Sequence, residues 1–382
     1  MGGRNYLRNL FAAITSISGA SIKPVLFSGR KQSVSSSDFP GVEIITTPML
    51  DRKTPAWITR KLIATISGRD LCLQRFLLKH DIAVLSHSSH LGRQSRIPTV
   101  GWIPDFQHVA LPAFFTSEER TSLDTHFRSI CALCDKVIVS SEDARSDLRA
   151  FSPEYADKAE LLQFVANPIS FTNAESLSTL RALYNFDGPY FLLPNQFWAH
   201  KNHRVVIDAL RELKARGTPM LVLATGSIQD HRNPDYFASL MEYAQRSATL
   251  ECFHVLGQIP FAHLSGLMRY TTAFLNPSQF EGWSTSVEEA KSMGKQVVLS
   301  DIPVHQEQNP GRGFFFSSNN ASSLADAMAA ANTAFSAEED VAKQQEALAL
   351  FSQRQRCFGE AYARIVQTLW HATRPIAPYP DV

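Results

Sequence analysis

The chain has 382 residues, of which 44% are hydrophobic and 19% are charged. This length allows two or three domains, and this composition excludes a disordered or fibrous protein. The formal net charge is +1, which argues against bulk binding to nucleic acid, so we predict no nucleic-acid partner. The charge is nevertheless uneven, because residues 1–100 contain 14 Lys and Arg against 5 Asp and Glu. We therefore expect the first part of the chain to face an anionic partner or surface.

In the first half of the chain, short apolar runs alternate with longer amphipathic runs. The predicted strands are Lys23–Ser28, Val42–Thr47, Asp81–Ser86, Thr99–Pro104, Lys136–Ser140 and Leu161–Val165. The predicted helices are Asn5–Ile17, Ala56–Lys79, Ser117–Cys134 and Glu142–Phe151. Strands that alternate with helices indicate a parallel sheet covered on both faces.

The same alternation is repeated after Pro168–Gly188, a stretch where Asn, Ser and Thr collect and periodicity weakens. The predicted strands are Tyr190–Pro194, Met220–Ala224, Cys252–Leu256, Thr272–Leu275, Gln296–Ser300 and Gly313–Phe316. The predicted helices are Asn202–Ala215, Asp235–Arg246, Ala262–Tyr270, Ser286–Met293, Ala321–Ala331 and Glu338–Arg374.

The repeated alternation predicts an α/β protein with two doubly wound, Rossmann-like domains that face a central cleft. We place the first domain in residues 1–170 and the second in residues 186–350. Residues 351–382 would form a closing helix that returns to the first domain. Ligands bind at the carboxyl ends of the strands in such sheets, so we expect the site there.

The segment Pro277–Asp301 is the most informative stretch. It predicts a strand end, a loop containing Glu281, a helix containing Glu289, and a further strand. Ser284–Ser286 would occupy the first helical turn, where backbone N–H groups lack intrahelical partners and favour a phosphate. The two carboxylates would suit sugar and ribose hydroxyls. The alternative is an ordinary capped helix with solvated glutamates.

Two further loops carry residues of interest. Lys201 follows the predicted strand beginning at Tyr190 and could neutralise a diphosphate; the alternative is a surface lysine flanked by the surface histidines His200 and His203. The turn Gly257–Ile259, which includes Gln258, could hold the edge of a base through its backbone. Gly226 is a similar turn glycine, and both turns are also compatible with a purely structural role.

The five cysteines are scattered, which indicates a reducing compartment rather than a disulfide framework. Cys131 and Cys134 form one CxxC pair, and we predict packing rather than metal binding for it. The first twenty residues only loosely resemble a signal peptide, and we reject that interpretation. The sequence therefore predicts a cytoplasmic protein.

The segment Arg52–Arg96 is basic and contains interleaved apolar residues. It suggests a peripheral face on the inner side of the membrane, for a lipid-linked acceptor. A solvated helix face is the alternative. The residues concerned are Lys53, Arg60, Lys61, Arg69, Arg75 and Lys79 with Trp57, Ile58, Leu62, Ile63 and Phe76.

The order of these motifs resembles the GT-B glycosyltransferases, in particular the retaining family-4 group. The resemblance is carried by Lys201, the turn Gly257–Ile259, the pair Pro277–Ser278, and the glutamates Glu281 and Glu289. It covers Phe191–Asp301 strongly and the front domain more loosely.

The resemblance implies a retaining, metal-independent transfer from a nucleoside-diphosphate sugar to a glycan or lipid-linked acceptor bound by the first domain. It places this reaction in cell-surface polysaccharide or glycoconjugate biosynthesis, with the donor as co-substrate and no cofactor. The implied catalytic residues are Lys201, Glu281 and Asp105. The implied donor-binding residues are Gly2, Gly3, Gln196, Gly226, Gly257, Gln258, Ile259, Gly282, Trp283, Ser284, Thr285, Ser286 and Glu289.

The sequence departs from the family pattern at several places. The family arginine falls at Gln196, and hydroxyl residues replace glycine and proline in the loop after Glu281. Gly2 and Gly3 match the family's glycine loop, but the strand that normally precedes that loop is missing. A family His-Asp pair reads Pro104-Asp105, so only Asp105 matches, with His108 as a nearby substitute.

Two alternatives to a glycosyltransferase remain at this point. One is a sugar-nucleotide epimerase or phosphorylase on the same scaffold. The other is a catalytically weak subunit that binds nucleotide sugars, which the neutral Gln196 would favour. A nicotinamide dehydrogenase is disfavoured because no G-x-G-x-x-G motif follows a predicted strand.

Overall fold

A computed structural model describes residues 2–17, 22–32, 34–88 and 90–373. The chain packs as two compact units. The first unit contains the described residues up to Phe106, Glu118–Phe164, and those from Gln353 onward. The second contains Gln107–Ser117 and Val165–Ser352.

Up to Leu161, the described chain forms short parallel strands and six helices. Strands β1 and β2 pair with each other, and β3 to β6 form a second sheet in chain order. The strands are β1 Val25–Ser28, β2 Glu43–Thr46, β3 Leu85–Ser86, β4 Thr99–Trp102, β5 Lys136–Val139 and β6 Ala159–Leu161. The helices are α1 Gly2–Thr15, α2 Pro55–Ser67, α3 Leu71–Lys79, α4 Gln107–Ala110, α5 Ser117–Leu133 and α6 Glu142–Phe151.

The second unit is built on one six-stranded parallel sheet. The strands are β7 Tyr190–Leu193, β8 Leu221–Thr225, β9 Phe253–Gly257, β10 Ala273–Asn276, β11 Val297–Ser300 and β12 Gly313–Phe316. The helices that follow α6 are α7 Leu177–Tyr184, α8 His203–Ala215, α9 Tyr236–Arg246, α10 Phe261–Tyr270, α11 Thr285–Ser292, α12 Pro303–Gln308, α13 Ala321–Ala334 and α14 Ala337–Thr373.

The order of strands in this sheet is β12-β11-β10-β7-β8-β9. The chain therefore moves outward from β7 to β9, returns to the middle, and moves outward again in the opposite direction from β10. The four residues of β7 and the four of β10 are all buried, as expected for central strands covered on both faces. Two apolar clusters, one including Leu193 and Val206 and the other Leu192 and Ala290, form the core of this unit.

Several sequence-based elements are corrected by the structure. The single helix predicted over 56–79 is two helices, because Gly68 adopts a left-handed conformation and Asp70 caps α3 by accepting a hydrogen bond from the Leu73 N–H at 3.1 Å. The predicted glycine loop at Gly2 and Gly3 is instead the first turn of helix α1. Helices α4, α7 and α12 were not predicted, and β6 begins two residues and ends four residues before its prediction.

The long helix predicted at the end of the chain is observed as α14, which has 37 residues. It belongs to the second unit up to Ser352 and to the first unit from Gln353. In the first unit Gly359 lies so close to α1 that an added Cβ would be 2.5 Å from the Ala13 carbonyl oxygen. No helix among the described residues is long and apolar enough to cross a membrane.

A buried ion pair fixes the beginning of α14 to the second unit. Asp340 accepts from Lys295 Nζ at 2.5 Å and from Arg312 Nη1 at 2.9 Å, and the side chain of Lys295 is only 2% exposed. Burial lowers the pKa of Lys295, and the neighbouring Asp340 opposes that shift. The Lys295 charge is therefore tolerated only with its partner present.

We expect Asp340→Ala to reduce the free energy of unfolding by about 3–5 kcal/mol, because it leaves a buried charge unpaired. On the same helix, Glu346→Ala breaks the exposed pair with Lys343 and should change it by at most about 1 kcal/mol. Chemical denaturation of both variants checks this. Equal effects would contradict the assignment.

Candidate active site

The order of strands indicates where a ligand would be expected to bind the second unit. Strands β7 and β10 are neighbours, but their connections leave in opposite directions, which makes the gap beyond their carboxyl ends a topological switch point. Ligands of doubly wound sheets bind in this crevice. The loop after β7 contains Lys201, and the loop after β10 contains Glu281.

Lys201 and Glu281 form an ion pair across this gap. The distance from Lys201 Nζ to Glu281 Oε1 is 2.6 Å, and the two side chains are 14% and 11% exposed. Burial alone would raise the pKa of Glu281, but the charge and hydrogen bond of Lys201, together with a hydrogen bond from Ser278, lower it to about 2. The carboxylate of Glu281 is therefore ionised at neutral pH. The alternative interpretation of Lys201 as a surface lysine was wrong.

The histidines beside this lysine were also predicted to lie on the surface, and both are buried. The ring of His203 stacks on Phe197 with centroids 4.3 Å apart, and burial lowers its pKa to about 3. Burial likewise lowers the pKa of His200 to about 4. Across the described residues, no group of three or more His, Cys, Asp or Glu could hold a metal ion.

Asn276, the last residue of β10, connects the two loops and was missed by the sequence analysis. Its Oδ1 accepts hydrogen bonds from Asn195 Nδ2 at 3.2 Å and from Ser278 Oγ at 2.6 Å. Its Nδ2 donates to Ser284 Oγ at 2.7 Å and, at 3.4 Å, to Glu281 Oε1. One buried amide therefore sets the positions of both loops. A polar residue ending an apolar strand was the available signal.

The loops after β7, β8 and β9 are also joined through their backbones. Phe197 N–H donates to Ser227 O, and Gly226 N–H donates to Gly257 O, both at 2.9 Å. Gly226 has φ +141°, and a Cβ there would lie 2.5 Å from the Asn195 carbonyl oxygen. Only glycine allows this approach. Gly226 thus holds the loop that carries Gln196 in place.

The amino end of α11 points its first turn toward this region of the sheet. Ser284 is the N-cap residue; its N–H donates to Gln308 Oε1 at 3.2 Å, while Gln308 Nε2 donates to the Ser284 carbonyl at 3.0 Å. The Ser284 amide is thus already occupied. By helix geometry, the amides of the next residues, Thr285, Ser286 and Val287, have no intrahelical acceptor and suit an anion.

Glu289 lies on α11 beyond this first turn and is half-buried. Burial raises its pKa to about 7, in contrast to the strongly acidic Glu281. Glu281 is therefore ionised at neutral pH, whereas Glu289 titrates near neutral pH. Glu281 precedes α11 and Glu289 lies on it. In the loop between them Gly282 is buried and Trp283 is half-buried.

A cavity of about 610 Å³ lies beside the loop after β7. Gln196 and Trp198 line it on one side, and Asp230, His231 and Phe237 on another. Asp230 is held by the Ala199 and Arg232 N–H groups, which donate to it at 3.2 and 3.0 Å. The lining combines amide, carboxylate and aromatic side chains.

The remaining predicted residues lie farther along the sheet or in the first unit. Gly257 has φ +66° with open space around its Cα, Gln258 is exposed, and Ile259 packs on the core. Asp105 follows β4, belongs to the first unit and is half-buried. Gly2 and Gly3 of α1 also belong to the first unit by their position in the chain. The structure therefore brings Lys201 and Glu281 together within one unit, whereas the roles of these other residues stay predictions.

Comparison with known proteins shows a family match and the fold. Residues 182–346 match the family model of glycosyl transferases group 1. This match covers 165 of the 382 residues and makes the chain a glycosyltransferase whose residues 182–346 are similar to group 1. No curated protein sequence matches this glycosyltransferase.

Solved structures show the same fold at low identity. Anabaena HepE, in complex with UDP and glucose, is 16% identical with a TM-score of 0.65, and the match covers 96% of each chain. A glycosyltransferase from Rickettsia africae is 15% identical with a TM-score of 0.64, covering 97% of this chain and 95% of that one. Sucrose-phosphate synthase from Thermosynechococcus elongatus is 16% identical with a TM-score of 0.59, covering 96% and 90%. The glycosyltransferase thus has the GT-B fold.

We expect Gly226→Ala to reduce the free energy of unfolding of this glycosyltransferase by more than about 2 kcal/mol, because the methyl group collides with backbone atoms. Gly217→Ala is the matched control, since Gly217 also has a positive φ, of +76°, but open space around it. It should cost about 1 kcal/mol. Thermal and chemical denaturation check both; equal costs would contradict the close approach.

Proposed function

We propose that this glycosyltransferase transfers a sugar from a nucleoside-diphosphate sugar to a glycan or lipid-linked acceptor, with retention at the anomeric carbon. The observation that carries the proposal is the buried Lys201–Glu281 pair at the switch point of the sheet. We further propose that the product belongs to a cell-surface polysaccharide or glycoconjugate. The free thiols of Cys131 and Cys134, which are buried in the core, support a cytoplasmic location.

The donor is best tested first as a uridine diphosphate sugar. HepE is described in complex with UDP and with UDP-glucose, and it has this fold at 16–18% identity. A UDP-forming trehalose-phosphate synthase from Burkholderia vietnamiensis shares the fold over 73% of this chain, with a TM-score of 0.54. UDP-glucose is therefore the first candidate donor.

Lys201 would neutralise the diphosphate of that donor. Lys201 is the only Lys or Arg in residues 190–202 and 276–286, which contain strands β7 and β10 and the loops that follow them. The arginine of the family pattern is replaced by Gln196. The ammonium of Lys201 is held by Glu281 in this structure. A donor diphosphate would compete for the ammonium and release the carboxylate, which would then accept hydrogen bonds from sugar hydroxyls.

Charge stabilisation would then drive the reaction. The bond between the anomeric carbon and the diphosphate oxygen breaks, and negative charge develops on the leaving phosphate. Lys201 and the first amides of α11 would stabilise that charge, so the proposal requires no metal. The departing phosphate oxygen takes the proton of the acceptor hydroxyl on the same face as the new bond forms, and no protein nucleophile is invoked.

Gln196 favours one alternative, a subunit that binds nucleotide sugars with weak catalysis. Both functions predict binding of UDP, so binding alone does not separate them. Release of UDP from UDP-glucose that depends on an added acceptor supports the transferase. Tight binding without any such release would support the alternative.

Two substitutions separate diphosphate binding from transfer. Lys201→Met should weaken UDP binding by about 10- to 100-fold, because it removes a charge-assisted hydrogen bond. Glu281→Gln leaves the lysine free and should preserve or strengthen UDP binding, while it lowers transfer by about a hundredfold or more. Calorimetry with UDP and a UDP-release assay measure the two effects.

The control is Lys214→Met, which breaks an exposed pair with Glu251 and should leave UDP binding unchanged. Because Lys201→Met leaves Glu281 buried without its partner, the double variant Lys201→Met with Glu281→Gln tests whether lost binding reflects unfolding. That variant should remain folded and still bind UDP weakly. Wild-type UDP affinity in Lys201→Met would contradict the assignment.

Proton release on binding tests the role of Glu289. Burial raises its pKa to about 7, so at pH 7 the free protein carries a proton there about half of the time. Ribose hydroxyls that donate to the carboxylate would lower this pKa, so UDP binding should release up to about half a proton. Calorimetry in buffers of different ionisation enthalpy measures that release.

Glu289→Gln should remove the buffer dependence and leave measurable UDP binding. Proton uptake instead of release would place the diphosphate, rather than the ribose, beside Glu289. Buffer-independent binding by the unmodified protein would show that the carboxylate does not meet the nucleotide.

A further inference from the structure

Helix α2 of the first unit exposes a regular apolar stripe to solvent. Ile58, Leu62 and Ile66 are 52%, 59% and 79% exposed. They are spaced by four residues, so they lie along one face of the helix within a sector of about 80°. We call these three side chains the α2 stripe. Single exposed apolar residues are ordinary, but an aligned row of three is a contact surface.

The opposite face of α2 explains why this stripe points outward. Arg60 is buried, with its Nη2 2.7 Å from Asp70 Oδ2 and its Nη1 donating to the Met49 carbonyl at 3.2 Å. Trp57 and Ile63 are half-buried. A helix that turned its apolar stripe inward would have to expose this ion pair. The orientation of α2 is therefore fixed by its polar contacts, and the stripe remains on the surface.

The charge of residues 52–96, the segment that contains the stripe, indicates which partner suits it. Residues 52–96 contain nine Lys and Arg against two Asp. Arg60 and Asp70 neutralise each other internally, and only Asp81 remains as an exposed acid in this segment. Seven cations of the segment are exposed, namely Arg52, Lys53, Lys61, Arg75, Lys79, Arg93 and Arg96. A basic region with an apolar row is suited to an anionic, apolar partner.

We propose that the α2 stripe docks on the surface of an anionic lipid bilayer. The aliphatic side chains would enter the boundary between headgroups and acyl chains, and the exposed cations of the same segment would contact anionic headgroups. Lys61 lies on α2 next to Leu62 and would stay at headgroup level. Contact of this kind is peripheral, with the helix parallel to the surface. It would bring the enzyme to a lipid-linked acceptor, although docking itself does not require transfer.

The experiment uses the full chain and two vesicle compositions. Co-sedimentation is measured with phosphatidylcholine vesicles and with phosphatidylcholine mixed with phosphatidylglycerol, at low and high salt. We expect binding to the anionic vesicles, little binding to the neutral ones, and weakening by salt. Absence of binding to anionic vesicles would overturn the proposal.

Two matched variants locate the contact. Leu62→Ser with Ile66→Ser should reduce vesicle binding by tenfold or more. Leu348→Ser with Leu350→Ser, on α14, changes two leucines that are 48% and 56% exposed and should leave binding unchanged. Equal losses in both double variants would overturn the assignment to α2. The assignment would also be overturned if analytical ultracentrifugation showed a dimer that the α2 double variant alone dissociates while that variant still binds vesicles.

The charges are tested separately. Lys61→Gln should weaken binding to the anionic vesicles by about fivefold, as expected for loss of one cation near the surface. Lys343→Gln is the control, at a lysine of α14 whose side chain is 39% exposed, and should have no effect. UDP binding, measured on the same variants, should not change. Lys201→Met should lose UDP binding and keep normal vesicle binding. The vesicle assay therefore tests docking alone, and the UDP assay tests the proposed transfer alone.

Discussion

The ion pair between Lys201 and Glu281 is the interaction on which the candidate site depends. Two charges that are mostly removed from water cost free energy unless they are paired and hydrogen-bonded. Here the lysine is paired with one carboxylate, and that carboxylate also lies near the amide of Asn276. On the proposed function, an anionic ligand that replaces the carboxylate at the lysine would restore the same charge balance.

The fold places that pair where it can be used. The reversal of strand order between β7 and β10 separates their following loops and leaves a crevice at the carboxyl ends of the strands. Close packing then fixes the loops: Gly226 presses on the backbone of Asn195, and Gln308 clamps the N-cap Ser284 through two hydrogen bonds. The site is therefore supported by residues that would not touch a ligand. This arrangement suits a reaction in which charge stabilisation, rather than a protein nucleophile, does most of the chemistry.

Much of this could be predicted from the sequence, and the failures have physical causes. Buried strands such as Tyr190–Leu193 are continuous apolar runs, so their positions and the α/β class followed directly. The break between α2 and α3 was missed because Gly68 and Asp70 were read inside an amphipathic run rather than as caps. Asn276 and Gln308 were missed because the local sequence does not show which partners a buried amide bonds. For Asn276 a polar residue at the end of an apolar strand was the available signal, but its partner Asn195 is 81 residues away. The burial of His200 and His203 likewise comes from packing rather than local sequence.

The central claim is that a donor diphosphate takes the place of Glu281 at Lys201. A crystal structure of the chain with UDP-glucose tests it most directly. The account predicts Lys201 Nζ within hydrogen-bond distance, about 3 Å, of a phosphate oxygen, with Glu281 turned toward a sugar hydroxyl. A bound donor with the Lys201–Glu281 pair intact and the diphosphate elsewhere would contradict it.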